Sequence, residues 1–175
     1  MRALSGVPRV LLISGAWSIS DTTGGDGGTD DLARDVMRRL QDTTLVSIAA
    51  LQGDVSGVGL RLALACTVRV AAPDTVLRVD EVEAGRVPDP EVLSALREHL
   101  GVAGTLELAV TGRPLGVVEA AARGLLLTGS ASDARDLAAA ILAAPDQAVR
   151  ATVALLRRGA TGAEQIRAGG MLNDR

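Results

Sequence analysis

The segment from residue 45 to residue 71 constrains the fold more than any other part of the chain. Leu45 to Leu51 is an apolar run typical of a buried strand, Gly53 to Gly59 is a glycine-containing loop, and Leu60 to Cys66 continues as an apolar helix. Thr67 to Ala71 predicts the next strand. This order indicates βα units, and hence an α/β domain whose ligand lies where glycine loops meet helix N-termini.

The rest of the pattern is rich in strands first and in helices later. Val10 to Ser14 and Val76 to Val79 predict strands, and Ser18 to Thr29 is a glycine-rich loop. Since no linker divides the 175 residues, we expect a single domain, with residues 1–130 as the α/β core and residues 131–175 as its C-terminal helical region. Helices separated by breaks at Gly101, Gly124 and Pro145 are predicted at Asp31 to Leu40, Glu91 to Leu100, Val102 to Val110, Leu115 to Arg123, Ala131 to Ala143 and Ala148 to Arg158.

Composition argues against several classes of protein. The net charge of −3 and the absence of aromatic residues other than Trp17 disfavour a nucleic-acid binder, and no apolar run reaches the roughly 18 residues of a membrane helix. Cys66 has apolar neighbours and is expected to be a buried structural thiol, which favours a cytoplasmic location. With one cysteine and one histidine, His99, no metal site is expected, and His99 is interpreted as exposed or as a contact at a helix C-terminus.

Gly57 and Gly59 flank Val58 at the start of the predicted helix. The unpaired backbone N–H groups at such a helix end can hold an anion or a developing oxyanion. Alternatively, the two glycines only allow the helix to pack closely against a strand. The spacing by itself leaves both interpretations open.

Three stretches resemble one known family. The run from Ala49 to Ala72 is similar, position by position, to the signature AAxxGxxxGGGxELAxxCDxRxA of the crotonase (enoyl-CoA hydratase/isomerase) superfamily. Thr111 to Leu125 resembles TGRxLxxxEAxxxGLV, and Glu81 to Pro88 resembles PExxxGxxP. The resemblance implies a crotonase-like fold, a spiral of ββα units with a C-terminal helical region, here shortened at its N-terminus because the chain begins at the family's third strand.

The resemblance also implies acyl-thioester chemistry. Two backbone N–H groups would hold the thioester oxygen as an enolate, and they map onto Val58 and, in the loop Thr22 to Asp26, onto Gly25. Family hydratases use two glutamates. The second maps onto Glu81, the expected acid/base, whereas the first maps onto Arg61, a cation that cannot act as a base near neutral pH.

Arg61 therefore favours isomerisation, dehydration or decarboxylation with one carboxylate over hydration with two. Arg61, Gly57 and Gly59 would line the substrate pocket. A structural interpretation of Glu81 also stays open, as an ion pair with Arg61 or Arg78 or as an exposed member of the acidic run that begins at Asp80.

The partners implied are an acyl group carried as a CoA or acyl-carrier-protein thioester, without a cofactor, and further copies of the chain in a homotrimer or hexamer formed through Ala131 to Arg158. An alternative is a catalytically degenerate accessory subunit of a secondary-metabolite pathway, supporting a different partner protein. A third possibility is a non-functional fragment that aggregates through an exposed sheet edge.

Overall fold

The computed structural model describes residues 10–19, 34–40 and 45–158. One sheet in it contains four parallel strands in the order β1 (Val10–Ser14), β3 (Val46–Leu51), β5 (Val68–Ala71) and β8 (Leu127–Thr128). Every residue of β3 is buried, as expected for a central parallel strand that is covered on both faces. The predicted strands at Val10 to Ser14, Leu45 to Leu51 and Thr67 to Ala71 are therefore confirmed, with boundaries that differ by at most one residue.

The second sheet is built from short strands, three of which directly follow a strand of the first sheet. It contains β2 (Ser18–Ile19), β4 (Asp54–Ser56), β6 (Val76–Leu77) and β7 (Leu115–Gly116) in that order, with only the β6–β7 pair antiparallel. The chain thus passes from the first sheet to the second three times and makes a helix after each pass. This arrangement is the expected spiral of ββα units.

The helices of the described part are α1 (34–40), α2 (Gly57–Ala65), α3 (Pro90–Thr111), α4 (Val117–Ala122), α5 (Ala131–Ala143) and α6 (Asp146–Arg158). The break predicted at Gly101 is a kink inside α3, where Gly101 has φ 68° and ψ 176°. Ser130 and Asp133 form a reciprocal capping box that starts α5 at its predicted residue. No single helix among the described residues has the length and apolarity to cross a bilayer, and α5 and α6, which would suffice together, meet at a bend of 115°.

Two apolar clusters hold these elements together. The smaller one packs Ala134 and Ala138 of α5 and Val153 of α6 against the outer face of the first sheet. The larger one lies between the two sheets and the helices α2 to α4, and its only aromatic residue is Trp17. Its fully buried side chains include Val55, Leu60, Leu96, Leu115 and Leu125.

Four expectations about secondary structure were wrong. The loop predicted from Ser18 to Thr29 begins with the strand β2 (Ser18–Ile19). The helix predicted from Leu115 to Arg123 begins only at Val117, because Leu115 and Gly116 pair with β6 as β7. The loop predicted from Gly53 to Gly59 contains β4, and β8 was not predicted. Strands of two or three residues are too short to show a periodicity, so only the sheet itself reveals them. The division of the domain at residue 130 stays a prediction.

The TGRxLxxxEA stretch joins α3 to α4. Gly112 ends α3 in the left-handed conformation, with φ 62°. The Arg113 guanidinium that follows donates to both oxygens of Glu107 on α3 and to both oxygens of Glu119 on α4, at 2.6 to 3.1 Å. Arg123 donates to Glu119 as well. In this chain the motif therefore connects two helices through an ion-pair network.

Candidate active site

The N-terminus of α2 presents backbone N–H groups without a side-chain cap. Ser56 is the N-cap residue but makes no capping hydrogen bond with its side chain, and the first turn contains no acidic residue. Gly57 begins the helix at φ 53°, a conformation that favours glycine, and the half-buried Val58 follows it. This end of α2 carries the positive end of the helix dipole and can hold a negatively charged oxygen.

Gly59 lacks a side chain because α2 lies directly against the backbone of Trp17. A Cβ atom at Gly59 would collide with the Trp17 carbonyl oxygen. The same carbonyl accepts a hydrogen bond from the Ser56 N–H at 3.3 Å, and the Trp17 indole donates to the carbonyl of Ala50 at 2.9 Å. The close-packing interpretation is therefore confirmed for Gly59, and it is compatible with an anion site at Val58.

Val58 follows strand β4 and Glu81 follows strand β6, and these two strands end at the same edge of the second sheet. Strands β4 and β6 are parallel neighbours in the register Val55 to Leu77, and the Arg78 N–H extends the ladder by donating to Val55 at 3.0 Å. Because parallel strands end at a common edge, the helix that begins after β4 and the turn that begins after β6 emerge side by side.

The backbone at Glu81 is fixed by a closed turn. The Arg86 N–H donates to the Glu81 carbonyl at 2.8 Å and the Gly85 N–H donates to Val82 at 2.9 Å, while Gly85 adopts φ 70°. These two bonds are the Schellman pattern, which needs a left-handed residue at the position of Gly85. The glycine of the PExxxGxxP stretch thus holds the turn that carries Glu81.

The side chain of Glu81 is buried, with 6% of the residue exposed. Its Oε2 atom has no hydrogen-bond partner among the residues that the structure describes. The alternative of an exposed carboxylate is therefore wrong. A buried carboxylate oxygen without a partner is costly in an ordinary core and is typical of functional sites.

Arg61 lies one turn after Val58 and forms an ion pair with Asp89. Its Nη1 atom donates to Asp89 Oδ2 at 3.2 Å, and the two side chains are 6% and 19% exposed. The other Asp89 oxygen accepts from the Glu91 N–H at 2.8 Å and caps α3. Arg78 pairs with Asp54 at 3.5 Å on the surface. Neither of the ion pairs with Glu81 that the sequence left open is among these contacts.

The opposite end of α2 is closed by Arg69, a residue that the sequence did not single out beyond the signature. Its Nη1 atom donates to the Cys66 carbonyl at 2.8 Å, with longer contacts to the carbonyls of Ala63 and Leu64, and its Nε atom donates to Leu125 at 2.6 Å. A cation at this position complements the C-terminal end of the helix dipole.

Cys66 is the buried structural thiol that was expected. Burial raises its pKa to about 11, against smaller lowering effects from a hydrogen bond to Ser47 and from the charge of Arg69. Thr67, which replaces the aspartate of the signature, exchanges hydrogen bonds with Ser47, since each backbone N–H donates to the other's hydroxyl. The substitution therefore has a structural partner on β3.

A cleft of about 610 Å³ lies at this C-terminal end of α2, away from Val58. His99 lines it and is half-buried beside Arg69, so the interpretation of His99 as exposed was wrong. Burial first, and then the Arg69 charge, lower the pKa of His99, while Glu98 raises it. Among the described residues no three metal-ligating side chains come together in this cleft or elsewhere. Arg69 of β5 also lines it, and the remaining lining residues come from α2, the link between α2 and β5, α3 and α6, namely Leu64, Ala65, Cys66, Thr67, Glu91, Ser94, Ala95 and Leu156.

Comparison with known proteins identifies the family. A family model described as enoyl-CoA hydratase/isomerase matches residues 20–169. The chain belongs to the enoyl-CoA hydratase/isomerase family. It is 36% identical over 135 residues to the enoyl-CoA hydratase domain-containing protein 2, mitochondrial, of Bos taurus, which covers 72% of this chain and 46% of the relative. It is 35% identical over 99 residues to a candidate enoyl-CoA hydratase of Bacillus subtilis (strain 168), which covers 57% of this chain and 38% of that protein.

Solved structures give the same result for the fold. A candidate enoyl-CoA hydratase from Thermobifida fusca YX in complex with CoA matches with a TM-score of 0.75 and 27% identity, over 93% of this chain and 74% of that one. The structure from the same organism with acetoacetyl-CoA matches with a TM-score of 0.72 and 29% identity, over 93% of this chain and 75% of that one. The predicted crotonase fold is confirmed, although the chain spans less than half the length of the curated relatives it matches.

The family signature is thus only partly represented in the described site. Gly57, Gly59 and Gly85 order the turns that carry Val58 and Glu81, and the roles that the resemblance implies for Val58, Arg61 and Glu81 stay predictions. Gly25, the residue expected to carry the other N–H donor, lies outside the described residues.

Proposed function

We propose that the chain acts on an acyl thioester, holding the thioester oxygen at the Val58 N–H while Glu81 moves a proton at a neighbouring carbon. The observation that carries this proposal is the buried Glu81 carboxylate, whose Oε2 has no partner among the described residues, at the sheet edge from which the uncapped N-terminus of α2 also emerges. Gly25 would supply the other backbone donor.

The proposed reaction depends on stabilising the negative charge that forms on the thioester oxygen. Removing a proton from the carbon next to a thioester carbonyl puts negative charge on the carbonyl oxygen, and a fixed backbone N–H at a helix N-terminus stabilises that charge in the transition state. Glu81 accepts the proton and returns it to another carbon, which moves a double bond without any net gain or loss of atoms.

Hydration with two carboxylates does not fit the described residues. At the position of the family's first glutamate stands Arg61, a cation, and both oxygens of its partner Asp89 are engaged, one with Arg61 and the other with the first turn of α3. A single available carboxylate, Glu81, supports isomerisation, dehydration or decarboxylation.

The two Thermobifida fusca structures, one in complex with CoA and one with acetoacetyl-CoA, support a CoA thioester as the substrate; an acyl-carrier-protein thioester has the same reacting atoms. The chemistry proposed needs no further cofactor. We further propose a cytoplasmic protein that assembles as a homotrimer or hexamer through Ala131 to Arg158, where Leu142 and Leu156 are exposed.

A catalytically degenerate accessory subunit is the second candidate. It is favoured by the Arg61–Asp89 ion pair, which occupies the place of one family acid with a buried contact. This candidate predicts that the protein copurifies with a partner and binds no thioester.

The replacement Glu81→Gln tests the proposal, with Glu83→Gln as the matched control, because Glu83 is an exposed carboxylate in the same turn. Using isomerisation of a 3-enoyl-CoA as the assay, we expect Glu81→Gln to lower kcat by about 10²- to 10⁴-fold with little change in KM. Glu83→Gln should leave both parameters unchanged.

Two results would contradict the proposal. Equal turnover by the Glu81→Gln variant and the unmodified protein would remove Glu81 from the mechanism. Calorimetry that detects no binding of a CoA thioester to the unmodified protein would favour the accessory subunit.

A further inference from the structure

We infer that the Arg61–Asp89 ion pair keeps the two halves of the site in register, so that Arg61 is a positioning residue for the Val58 N–H. The inference rests on the proposed function for the roles of Val58 and Glu81. The contact itself is a 3.2 Å ion pair between residues 28 positions apart in the chain, with 6% and 19% of the two side chains exposed.

The helix end that carries Val58 depends on contacts from outside the helix. Gly57 and Gly59 on either side of Val58 contribute no side chains, and Ser56 makes no capping hydrogen bond. Glycine residues leave the backbone free to adopt other conformations. The orientation of this turn therefore depends on neighbours, which include the Trp17 carbonyl on one side and Asp89, through Arg61, on another.

Asp89 is a rigid anchor for such a contact. Pro90 follows it and restricts its backbone to extended conformations, in agreement with its φ of −58° and ψ of 130°. Its Oδ1 atom is bonded to the Glu91 N–H, and Pro88 before it is buried. The carboxylate that Arg61 contacts is thus fixed to the first turn of α3.

Asp89 also lies at the end of the segment that begins with Glu81. The turn after Glu81 is closed by the bonds from Gly85 and Arg86, and the chain then reaches the buried Pro88 and the half-buried Asp89. Glu81 and Asp89 therefore lie at the two ends of one short segment. The ion pair to Arg61 connects that segment to the second turn of α2, one turn after Val58.

Burial makes this contact stronger and more directional than an exposed ion pair. Charges removed from water interact in a lower dielectric, and the loss of one partner leaves the other buried without compensation. The Arg78–Asp54 pair joins the same two regions, but its side chains are 42% and 59% exposed and its atoms are 3.5 Å apart. It is consequently a matched control whose removal is expected to have little effect.

Two substitutions at Asp89 separate positioning from helix capping. Asp89→Asn keeps an oxygen that can accept from the Glu91 N–H but removes the charge that Arg61 contacts, whereas Asp89→Ala removes both. The first measurement is made without substrate, on the ¹H–¹⁵N resonances of Val58 and Glu91. Asp89→Asn should shift the Val58 amide and lower its order parameter while the Glu91 amide keeps its order parameter, and Asp89→Ala should lower the order parameters of both.

The second measurement is turnover of the 3-enoyl-CoA. A displaced donor weakens transition-state stabilisation, so Asp89→Asn should lower kcat by about 10- to 100-fold with KM within about twofold. Arg61→Lys, which keeps the charge, should retain more activity than Arg61→Met. Arg78→Gln should change neither the Val58 amide nor kcat.

An unchanged Val58 amide together with an unchanged kcat in Asp89→Asn would overturn the inference and leave the ion pair with a stabilising role alone. Failure of the proposed function gives a different result. In that case the unmodified protein neither binds nor turns over the thioester, while the Val58 amide still responds to Asp89→Asn and not to Arg78→Gln.

Discussion

Replacement of Gly59 by alanine tests the packing that places the N-terminus of α2. The added methyl group would overlap the Trp17 carbonyl oxygen, which also accepts the Ser56 N–H at 3.3 Å. Because the obstacle is backbone and not the end of a flexible side chain, no change of rotamer relieves the collision. Either α2 or the segment at Trp17 must move.

The cost can be estimated from its parts. Overpacking of a well-packed site costs about 1 to 3 kcal/mol, and a backbone obstacle places this one near the upper end. Weakening the hydrogen bond from Ser56 adds about 1 kcal/mol to this cost. Alanine also reduces the conformational entropy of the unfolded chain, which offsets about 0.4 to 1 kcal/mol of the cost. The sum is a loss of about 3 kcal/mol in the free energy of unfolding, roughly a 150-fold change in the folding equilibrium.

Urea denaturation followed by tryptophan fluorescence measures this loss. Trp17 is the only aromatic residue of the chain, is 3% exposed and lies beside the substitution, so its emission reports the site itself. With a slope of about 2 kcal/mol per molar urea, the midpoint should fall by about 1.5 M. Gly116→Ala is the control, because Gly116 has an ordinary φ of −75° and nothing within 4 Å of an added Cβ, and its cost should stay below about 1 kcal/mol. Equal midpoints for the two variants would refute the close contact between α2 and Trp17.

Three further predictions follow from individual side chains. The imidazole of His99, the only histidine, should titrate in NMR below its ordinary pKa of 6.5, and Glu98→Gln should move that pKa further down because Glu98 opposes burial and the charge of Arg69. Because the pKa of His99 is lower in the folded protein, the unfolded chain binds more protons below about pH 6.5. The contribution of His99 to the free energy of unfolding is therefore present above that pH and is lost as the pH falls through the folded-state pKa. His99→Gln should remove this part of the pH dependence in urea denaturation. Cys66, with a pKa of about 11, should resist alkylation of the native protein at pH 8, and rapid native-state labelling would contradict its burial. Gly85→Ala should cost about 1 to 2 kcal/mol in thermal or urea denaturation, because alanine is strained at φ 70° even where nothing obstructs its methyl group, and a cost near zero would contradict the left-handed turn.

Much of the fold could be predicted from local sequence signals. Ala131 to Ala143 was predicted with its correct ends from the breaks at Gly124 and Pro145, and the structure adds a capping box of Ser130 and Asp133 at its start. Gly101 interrupts a long helical pattern and is a kink in the structure. Strands β1, β3 and β5 are apolar runs long enough to recognise, whereas β7 and β8 are two residues each and depend on their partners.

The roles that the signature implies for Val58, Arg61 and Glu81 stay predictions, and the structure adds surroundings that the sequence did not indicate. The acidic run around Glu81 gives no indication that this one carboxylate is buried. The partner of Arg61 is another example, since Asp89 lies 28 residues away along the chain and no local pattern connects the two. Contacts of this kind depend on tertiary packing, which a pattern along the chain does not contain.

A crystal structure of the protein with acetoacetyl-CoA would show whether Val58 and Glu81 face the reacting atoms of the thioester. We expect the thioester carbonyl oxygen to lie about 2.7 to 3.2 Å from the Val58 nitrogen, with the Glu81 carboxylate facing the carbon next to that carbonyl. A thioester bound with its carbonyl away from the N-terminus of α2, for example in the cleft lined by Arg69 and His99, would contradict it.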